Sequence, residues 1–311
     1  MEDLQNEIIV SISCLTYNHG PYIRQCLDGF MMQQCDFKFE VLINDDASTD
    51  GTQEIIKEFQ EKHPDIIKPI FQKENQYSKK IGSINAKFNF PRAKGKYIAL
   101  CEGDDYWTDP LKLQKQVDFL EKNPEFSMVF SNADVVFQND GGVSVRGLNI
   151  IQKSRIYSGP ELLDRWTVPT ASVLFKKAIF KADYEAFGSN KNFQFGDIVL
   201  YLYLSTKGKI YGMEDYMVSY RRHSGGVTNT ALDIEYYRKN YIHLKEIIKT
   251  FGNIFATDKT KRMLADYALS LSIHNLAIKK QYLAGVGFLL RSVMYDPSFF
   301  LKYVGDKMRA L

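Results

Sequence analysis

The sequence predicts an α/β protein, in which a mostly parallel sheet is flanked by helices and followed by a C-terminal helical extension. Apolar runs rich in β-formers alternate with segments of helical periodicity up to residue 137, and the turns between them are short. The charge changes sign along the chain. Residues 1–231 contain 27 Lys or Arg and 30 Asp or Glu, whereas residues 232–311 contain 13 and 7. We therefore expect a sheet domain over 1–230 and a basic helical extension over 231–311.

The elements of the first half follow from residue type and spacing. Runs such as IIVSISCL and FEVLIN predict buried strands. Ile55, Ile56 and Phe59 recur at helical spacing, and Asp109-Pro110 is typical of a helix start. The predicted strands are 8–15, 39–44, 66–71, 96–101 and 127–137, and the predicted helices are about 21–33, 52–62, 84–93 and 110–122.

The pattern is looser after Phe137. The segment 143–157 is compatible with strand or loop, and 188–196 is predicted as loop. Tyr237, Tyr241, Leu244 and Ile248 recur at helical spacing, so the chain beyond residue 234 is predicted to be helical. The remaining predictions are helices at 159–166, 177–186 and 198–205, and strands at 171–176, 209–211 and 216–221.

Composition excludes several classes of protein. The net charge of +3 disfavours a dedicated nucleic-acid partner. No run approaches the roughly 20 apolar residues of a spanning helix, and the acidic N-terminus does not resemble a signal peptide. The four cysteines show no CxxC or disulfide spacing, which favours a reducing compartment and a cytoplasmic location.

The basic extension allows two interpretations. It is either a helical cap over the acceptor side of a site or a peripheral contact with the inner face of the cell membrane. A charged helical face is usually only solvated, so the membrane contact is the minority hypothesis. The residues that would make that contact are Phe299, Phe300, Lys302, Lys307 and Arg309.

The stretch from Leu100 to Trp107 predicts the centre of the site. Its sequence Glu102-Gly103-Asp104-Asp105 follows a buried strand, where open α/β sheets bind ligands. Adjacent carboxylates repel each other unless a positive charge neutralises them, and hard oxygen ligands suit Mg²⁺ or Mn²⁺. The alternative is an ordinary Asp-rich turn that caps the following helix.

Three more polar groups follow predicted strands or precede a helix. Thr16-Tyr17-Asn18 and Asp45-Asp46 follow strands, and Asp197 precedes a helix. Parallel strands would bring the first two turns and the Asp104-Asp105 turn to one edge of the sheet. There, a tyrosine offers a face for stacking on a base and Asp46 an acceptor for a uracil-like N–H. Alternatively, Tyr17 only packs, and Asp46 with Ser48 only caps a helix.

Several other kinds of site are disfavoured. The first turn, Asn18-His19-Gly20-Pro21, contains no GxGxxG, so a Rossmann-type dinucleotide site is disfavoured. The chain also lacks the P-loop pattern and the GxSxG elbow. His19 could face a nucleotide from this turn.

Five segments strongly resemble the inverting family 2 glycosyltransferases. They span about residues 7–230, and the resemblance implies the GT-A (Rossmann-like) fold and a nucleotide-sugar donor. The first three are more specific than the last two. The segments are SISCLTYNHGPYIRQCL, EVLINDDASTDGT, GKYIALCEGDDYWTDPLKLQKQVDFL, FGDIVLYLYLS and YRRHSGGVTN.

The resemblance assigns roles residue by residue. The first turn and Asp46 would bind the nucleobase, Asp104 the ribose, and Asp197 would be the catalytic base. Asp105 would be the final acid of the family's DxD-type motif, and Glu102-Gly103-Asp104-Asp105 departs from a strict Asp-x-Asp, although Glu102 could still join through water. Gly196 stands where the family often has Glu. Asp197 could instead only cap its helix. The implied donor-binding residues are Thr16, Tyr17, Asn18, Asp46 and Asp104, and the implied ligand of Mn²⁺ or Mg²⁺ is Asp105.

A Gly-rich stretch contains Arg221, Arg222 and His223. A mobile loop that closes on the diphosphate would need such groups, so Arg222 is predicted to bind the donor there. Histidines of a few relatives imply His223 as a further ligand of the metal. The alternative is a surface loop with scattered basic residues.

The function implied is metal-dependent, inverting transfer of a sugar from a UDP sugar to an acceptor hydroxyl. The acceptor would be a saccharide or lipid-linked, in cell-surface polysaccharide or glycolipid biosynthesis. The alternatives are a nucleotide-sugar nucleotidyltransferase and a non-catalytic nucleotide-sugar-binding module. A nucleotidyltransferase would need a Gly-rich, Lys- or Arg-containing loop after the first strand, and a binding module would be expected to lose the metal acid or the base.

Overall fold

The structure is a computed structural model, and it describes a set of ranges with short gaps between them. Within these ranges, no helix is both long enough and apolar enough to cross a bilayer. The boundary expected near residue 230 lies outside the described residues. The described residues are 7–138, 143–147, 151–165, 168–179, 186, 188–226 and 233–309.

The main elements form a twisted mixed sheet with helices on both faces. The strands are β1 (Ile8–Thr16), β2 (Lys38–Asp45), β3 (Ile67–Phe71), β4 (Tyr97–Glu102), β5 (Tyr106–Trp107), β6 (Phe126–Phe137), β7 (Val143–Arg146), β8 (Arg155–Tyr157), β9 (Leu174–Lys176) and β10 (Lys209–Arg222). The helices are α1 (Ile23–Met31), α2 (Thr52–Lys62), α3 (Lys112–Lys122), α4 (Gly159–Arg165), α5 (Gly196–Ser205), α6 (Ile234–Phe251), α7 (Asp258–Ile273), α8 (Tyr282–Tyr295) and α9 (Pro297–Arg309).

The strand order explains where a site can form. The order is β3-β2-β1-β4-β9-β6-β10-β5, and β7 and β8 pair with β6 and β10. Strands β3, β2, β1 and β4 are mutually parallel, as are β6 and β10. The short strand β9 is antiparallel to β4 and β6 and joins the two parallel groups. The carboxyl ends of the long strands therefore share one edge of the sheet.

Two predicted elements differ from the structure. The segment 84–93 is a π-helical turn, Asn85–Asn89, followed by a 3₁₀ turn, Phe90–Arg92. Pro91 has no backbone N–H, so it cannot make the hydrogen bond of a regular helix. The Asn89 side chain points to the sheet, where it donates to the Ser13 hydroxyl and to two strand carbonyls. The two predicted late strands are one strand, β10, whose register with β6 shifts between Met213 and Tyr216.

Two smaller differences concern short segments. The predicted strand 171–176 begins as a 3₁₀ turn, Thr170–Ser172, before β9. The predicted helix 177–186 is a 3₁₀ turn over Lys177–Ile179, and residues 180–185 lie outside the described residues. The sequence analysis also missed β5, which pairs with β10 directly after the central turn.

The hydrophobic core has two parts, one on each face of the sheet. One packs α1, α2 and α3 against the strands around Phe30 and Trp107. The other contains α5 together with Leu244 and Ile247 of α6 and Leu264 of α7. Burying large apolar side chains contributes roughly 1.5–3 kcal/mol each. The first two helices of the extension therefore share a core with the sheet.

Candidate active site

The turns after β1, β2 and β4 meet at one edge of the sheet. Thr16 pairs with Asp45, and Leu15 pairs with Glu102. The Asp46 N–H donates to the Thr16 carbonyl at 2.9 Å, and the Gly103 N–H donates to the Leu15 carbonyl at 2.9 Å. The predicted convergence of the three turns is confirmed by this register.

The acid turn, Glu102–Asp105, brings three carboxyl groups together, of which Asp105 is buried and Glu102 and Asp104 are half-buried. The Asp105 side chain is 2% exposed, and one of its oxygens accepts the Arg221 N–H at 2.8 Å. Burial raises the pKa of Asp105 well above its usual range, and the neighbouring carboxylates of Asp104 and Glu102 raise it further. Burial also raises the pKa of Glu102 to about 8, with Asp104 and Asp197 contributing. The turn thus favours a bound cation.

Arg221 supplies positive charge to the acid turn. Its guanidinium donates to the Asp104 carbonyl and to the Gln25 side chain, and lies 4.4 Å from the centre of the Tyr106 ring. Arg222, in contrast, is exposed, with its guanidinium 5.9 Å from the centre of the Phe137 ring. Successive side chains of a strand point to opposite faces, which explains the difference. The diphosphate-binding role of Arg222 stays a prediction.

Two histidines lie beside Asp104. The Nε2 atom of His223 is 3.1 Å from the Asp104 carboxylate, and the His223 ring packs 4.6 Å from the Tyr22 ring. The Nε2 atom of His19 is 3.8 Å from the same carboxylate, and burial lowers the pKa of His19. The sequence analysis did not assign His19 to the site. Its position next to Asn18 in the first turn was the feature of the sequence that could have predicted this.

Gly103 lies between two buried polar atoms without partners in the described structure. A Cβ atom added at Gly103 would be 2.7 Å from Thr16 Oγ1 and 3.0 Å from His19 Nδ1. Buried polar atoms are normally hydrogen-bonded, so these two indicate a place for a further polar group. Together with the acid turn, they fit a divalent cation and phosphate oxygens.

No three His, Cys, Asp or Glu side chains in the described part of the chain are already arranged as a metal-binding group. The two predicted metal ligands, Asp105 and His223, lie on either side of Asp104. The Arg221 N–H donates to the Asp105 carboxylate, and the His223 ring contacts the Asp104 carboxylate.

The first two turns are tied together. Asn18 has a left-handed backbone with φ of 54°, its N–H donates to the Ser48 hydroxyl at 2.8 Å, and its side-chain oxygen accepts the Thr49 N–H at 2.9 Å. The preceding Tyr17 is 45% exposed, so its ring is available for stacking. Asn18 thus orders the turn that presents Tyr17.

Asp46 holds the loop that follows β3. Its two carboxylate oxygens accept the N–H groups of Gln76 and Tyr77 at 2.7 and 2.9 Å. Asp46 does not cap α2, which begins at Thr52. A nucleobase would therefore meet an acceptor already engaged by two backbone donors, beside the 61% exposed Tyr77.

Asp197 lies in the first turn of α5, on the side of the acid turn. One of its oxygens accepts the Ile198 N–H at 2.8 Å, and the Thr170 hydroxyl donates to the other at 3.4 Å. The N-cap residue is Phe195, so Asp197 is not the cap. Burial raises the pKa of Asp197, and Asp197 in turn contributes to the raised pKa of Glu102.

The loop before Asp197 is fastened by α6. The side chains of Asn190 and Asn192 donate to the two Glu246 carboxylate oxygens, each at 3.0 Å. The Gln194 N–H donates to His243 Nδ1 at 3.2 Å. Sequence reasoning missed these contacts, because they join segments about 50 residues apart.

Comparisons with known sequences agree with this geometry. A family model described as Glycosyl transferase family 2 matches residues 11–182. Uncharacterized proteins of Mycobacterium tuberculosis and Mycobacterium bovis are 37% identical over 224 residues, which is 71% of this chain and 61% of theirs. An uncharacterized glycosyltransferase of Nostoc sp. is 32% identical over 131 residues, which is 42% of this chain and 38% of that protein. The chain thus spans less than two thirds of these relatives.

Solved structures share the fold. TarS of S. aureus, in complex with UDP-GlcNAc, has a TM-score of 0.63 at 16% identity, and the match covers 92% of this chain and 82% of that one. The mannosyltransferase PcManGT from Pyrobaculum calidifontis, in complex with GDP-Man and Mn²⁺, has a TM-score of 0.58 at 18% identity, covering 96% and 84%. The predicted GT-A fold is confirmed. Because the family model matches more than half of the residues, the chain belongs to glycosyl transferase family 2.

Proposed function

We propose that the protein transfers a sugar from a nucleotide sugar to an acceptor hydroxyl, with inversion at the anomeric carbon. The observation that carries this proposal is the sheet edge that joins the turn of Tyr17 to the acid turn, together with Asp197, which acts electrostatically on Glu102 from the start of α5. A nucleotide, a diphosphate and a general base could each be placed along that edge. Family membership supports the same reaction class.

The residues at the acid turn would hold Mn²⁺ or Mg²⁺. Asp105 and His223 are the ligands we propose, with Asp104 beside them. When bound, the cation neutralises negative charge on the nucleoside diphosphate as it leaves. The Mn²⁺ bound to PcManGT supports use of a divalent cation in this fold. Arg221 holds the turn in place, and the raised pKa of the buried Asp105 supports a pocket that favours added positive charge.

Asp197 is the proposed general base. In its ionised form it accepts the proton of the acceptor hydroxyl, while that oxygen bonds to the anomeric carbon and the bond to the diphosphate oxygen breaks. Attack opposite the leaving group inverts the anomeric centre. The low polarity that raises the pKa of Asp197 also makes its carboxylate a stronger base.

The donor we propose is a UDP sugar. TarS was solved with UDP-GlcNAc and with UDP, although PcManGT was solved with GDP-Man. The acceptor we propose is a saccharide or a lipid-linked sugar of cell-surface polysaccharide or glycolipid synthesis. A nucleotidyltransferase is disfavoured because the turn after β1 lacks a Gly-rich basic loop. A non-catalytic module is disfavoured because both the acid turn and Asp197 are present.

Calorimetry with UDP and GDP, with and without Mn²⁺, tests the donor site. We expect UDP binding that strengthens with Mn²⁺, and we expect Asp105→Asn to remove only the strengthening. Slow hydrolysis of a panel of nucleotide sugars would then identify the sugar without an acceptor. Unchanged Mn²⁺ dependence in Asp105→Asn would overturn the metal assignment, and binding without hydrolysis or transfer of any donor would favour a binding module.

A further inference from the structure

Helix α8 packs Phe288 and Tyr295 against the protein and presents a second set of apolar residues to solvent. The side that packs against the protein contains Gly285 and Ser292, which are buried. The outward side repeats at spacings of three and four residues, so it forms one stripe along the helix. This outer stripe consists of Leu283, Val286, Leu290 and Met294, which are 93%, 48%, 59% and 80% exposed.

Close packing fixes this orientation of α8. The Ser292 hydroxyl donates to the Ala265 carbonyl of α7 at 2.8 Å, and the Ser272 hydroxyl donates to the Gly285 carbonyl at 2.8 Å. A Cβ at Gly285 would lie 2.5 Å from the Leu276 side chain. A larger residue at position 285 would push the helices apart, and Phe288 and Tyr295 on the same side are already packed, so the outer stripe stays on the solvent side.

The charges that border the outer stripe are mostly positive, and the acidic group beside it is Asp296, at the C-cap of α8. Lys279 and Lys280 are exposed just before α8, and Arg291 is exposed beside the stripe. The sequence of α8 contains no Asp or Glu. A helix with an apolar face and a cationic border is typical of binding at an anionic lipid surface. A two-fold contact between two copies would instead bring the cationic borders together without an acidic partner on α8.

We propose that the outer stripe of α8 rests on an anionic membrane surface, with Lys279, Lys280 and Arg291 among the lipid head groups. The stripe is about 16 Å long, since its ends are eleven residues apart. The contact predicted for Phe299, Phe300, Lys302, Lys307 and Arg309 of α9 stays a prediction. Phe299 and Phe300 are half-buried, and the Arg262 guanidinium lies 5.6 Å from the centre of the Phe299 ring. The side chains of Lys307 and Arg309 lie outside the described residues.

Vesicle flotation of the full chain tests this contact without any sugar donor. One vesicle contains phosphatidylcholine alone, and the other is an equal mixture with phosphatidylglycerol. We expect binding to the mixture, with Leu283→Ser/Leu290→Ser lowering the partition coefficient at least about tenfold. We expect Lys279→Gln/Lys280→Gln to lower it about thirtyfold in low salt, and much less in high salt.

Ile254→Ser is the matched control, because Ile254 is 67% exposed in the same extension but lies outside α8. It should leave the partition coefficient unchanged. Circular dichroism should show all variants folded, since each changes an exposed residue. The proposal is overturned if the wild type fails to float with the mixture, or if Leu283→Ser/Leu290→Ser floats equally well. It is also overturned if light scattering shows a dimer that this variant converts to a monomer.

Discussion

The acid turn and Asp197 face the same space, but they are held in different ways. Asp105 is fixed by adjacent strands and by the Arg221 backbone, within a sheet edge that is formed by neighbouring pairings. Asp197 lies at a helix start, where its carboxylate accepts the N–H of the next residue, Ile198, and a long hydrogen bond of 3.4 Å from the Thr170 hydroxyl. The sheet therefore fixes the acid turn, where the donor would bind. The position of Asp197 depends on the loop before it, which is hydrogen-bonded to helix α6.

The largest expected effect is a loss of catalysis in Asp197→Asn, which would distinguish the role of Asp197 from that of Asp105. Asn at position 197 can still accept the Ile198 N–H, so Asp197→Asn should keep the fold. It cannot accept a proton, and we expect kcat to fall by roughly 10²–10⁴ with unchanged UDP affinity. The measurement is transfer to an identified acceptor together with calorimetry of UDP. Full transfer activity in this variant would show that the base is another group.

The next effect concerns the two adjacent arginines of β10. The Arg221 guanidinium donates to both the Asp104 carbonyl and the Gln25 side chain, and a lysine ammonium cannot reach both acceptors. Arg221→Lys should therefore lower the free energy of unfolding by about 1–3 kcal/mol. UDP affinity should fall as well, because the acid turn loses its support. Arg222→Lys is the matched control, and as an exposed residue it should change stability by less than about 0.5 kcal/mol. Urea unfolding of both variants checks this order, and equal losses would contradict it.

The pH dependence of stability should also originate at the acid turn. Folding raises the pKa of Glu102 to about 8, so the folded chain binds this proton more tightly than the unfolded chain. Its contribution is fully present below the unfolded pKa of about 4.3 and is lost as the pH rises towards 8. Glu102→Gln should therefore be more stable than the wild type at pH 8, by about 3 °C or more in Tm. Equal Tm values for Glu102→Gln and the wild type at pH 8 would show that Glu102 does not cause the pH dependence of stability.

The pH dependence of catalysis should have the opposite sign. Asp197 must be ionised to act as a base, and burial raises its pKa. Activity should therefore fall as the pH decreases, and it should do so at a higher pH than an ordinary aspartate would require. The acid limb of kcat against pH measures this shift. A limb centred near the usual aspartate pKa would contradict the burial of the base.

Sequence periodicity was enough to predict the parallel half of the sheet, because each strand there is a short apolar run followed by a polar turn. Thr16, Asp46 and Asp105 were located by the same logic, since parallel strands place their carboxyl ends together. The sequence placed Arg222 in the donor site, but it is the guanidinium of its neighbour Arg221 that contacts the acid turn. Which of the two faces the turn depends on the register of β10, and that register is shifted at Met213.

Other features depend on contacts that no local pattern encodes. His19 joins the site only because the turn after β1 folds over Gly103. The segment 84–93 looks helical in sequence, but Asn89 uses its side chain to bind two strands. The engagement of Asp46 by Gln76 and Tyr77 requires a loop 30 residues away. Long-range hydrogen bonds of this kind determine the positions of the side chains in the site, and they could not be predicted from the sequence alone.

The smallest effect should show whether α6 positions the base. Glu246→Gln loses one acceptor for the two asparagine side chains, Asn190 and Asn192, that hold the loop before Asp197. We expect kcat to fall about three- to tenfold, because a small misplacement of a catalytic group is costly, and KM for the donor to stay unchanged. Glu235→Gln, which breaks only an exposed ion pair with Arg238 on the same helix, should change neither. An increase in the donor KM with unchanged kcat would mean that α6 supports the nucleotide side, and the contrast between the two carboxyl groups would then fail.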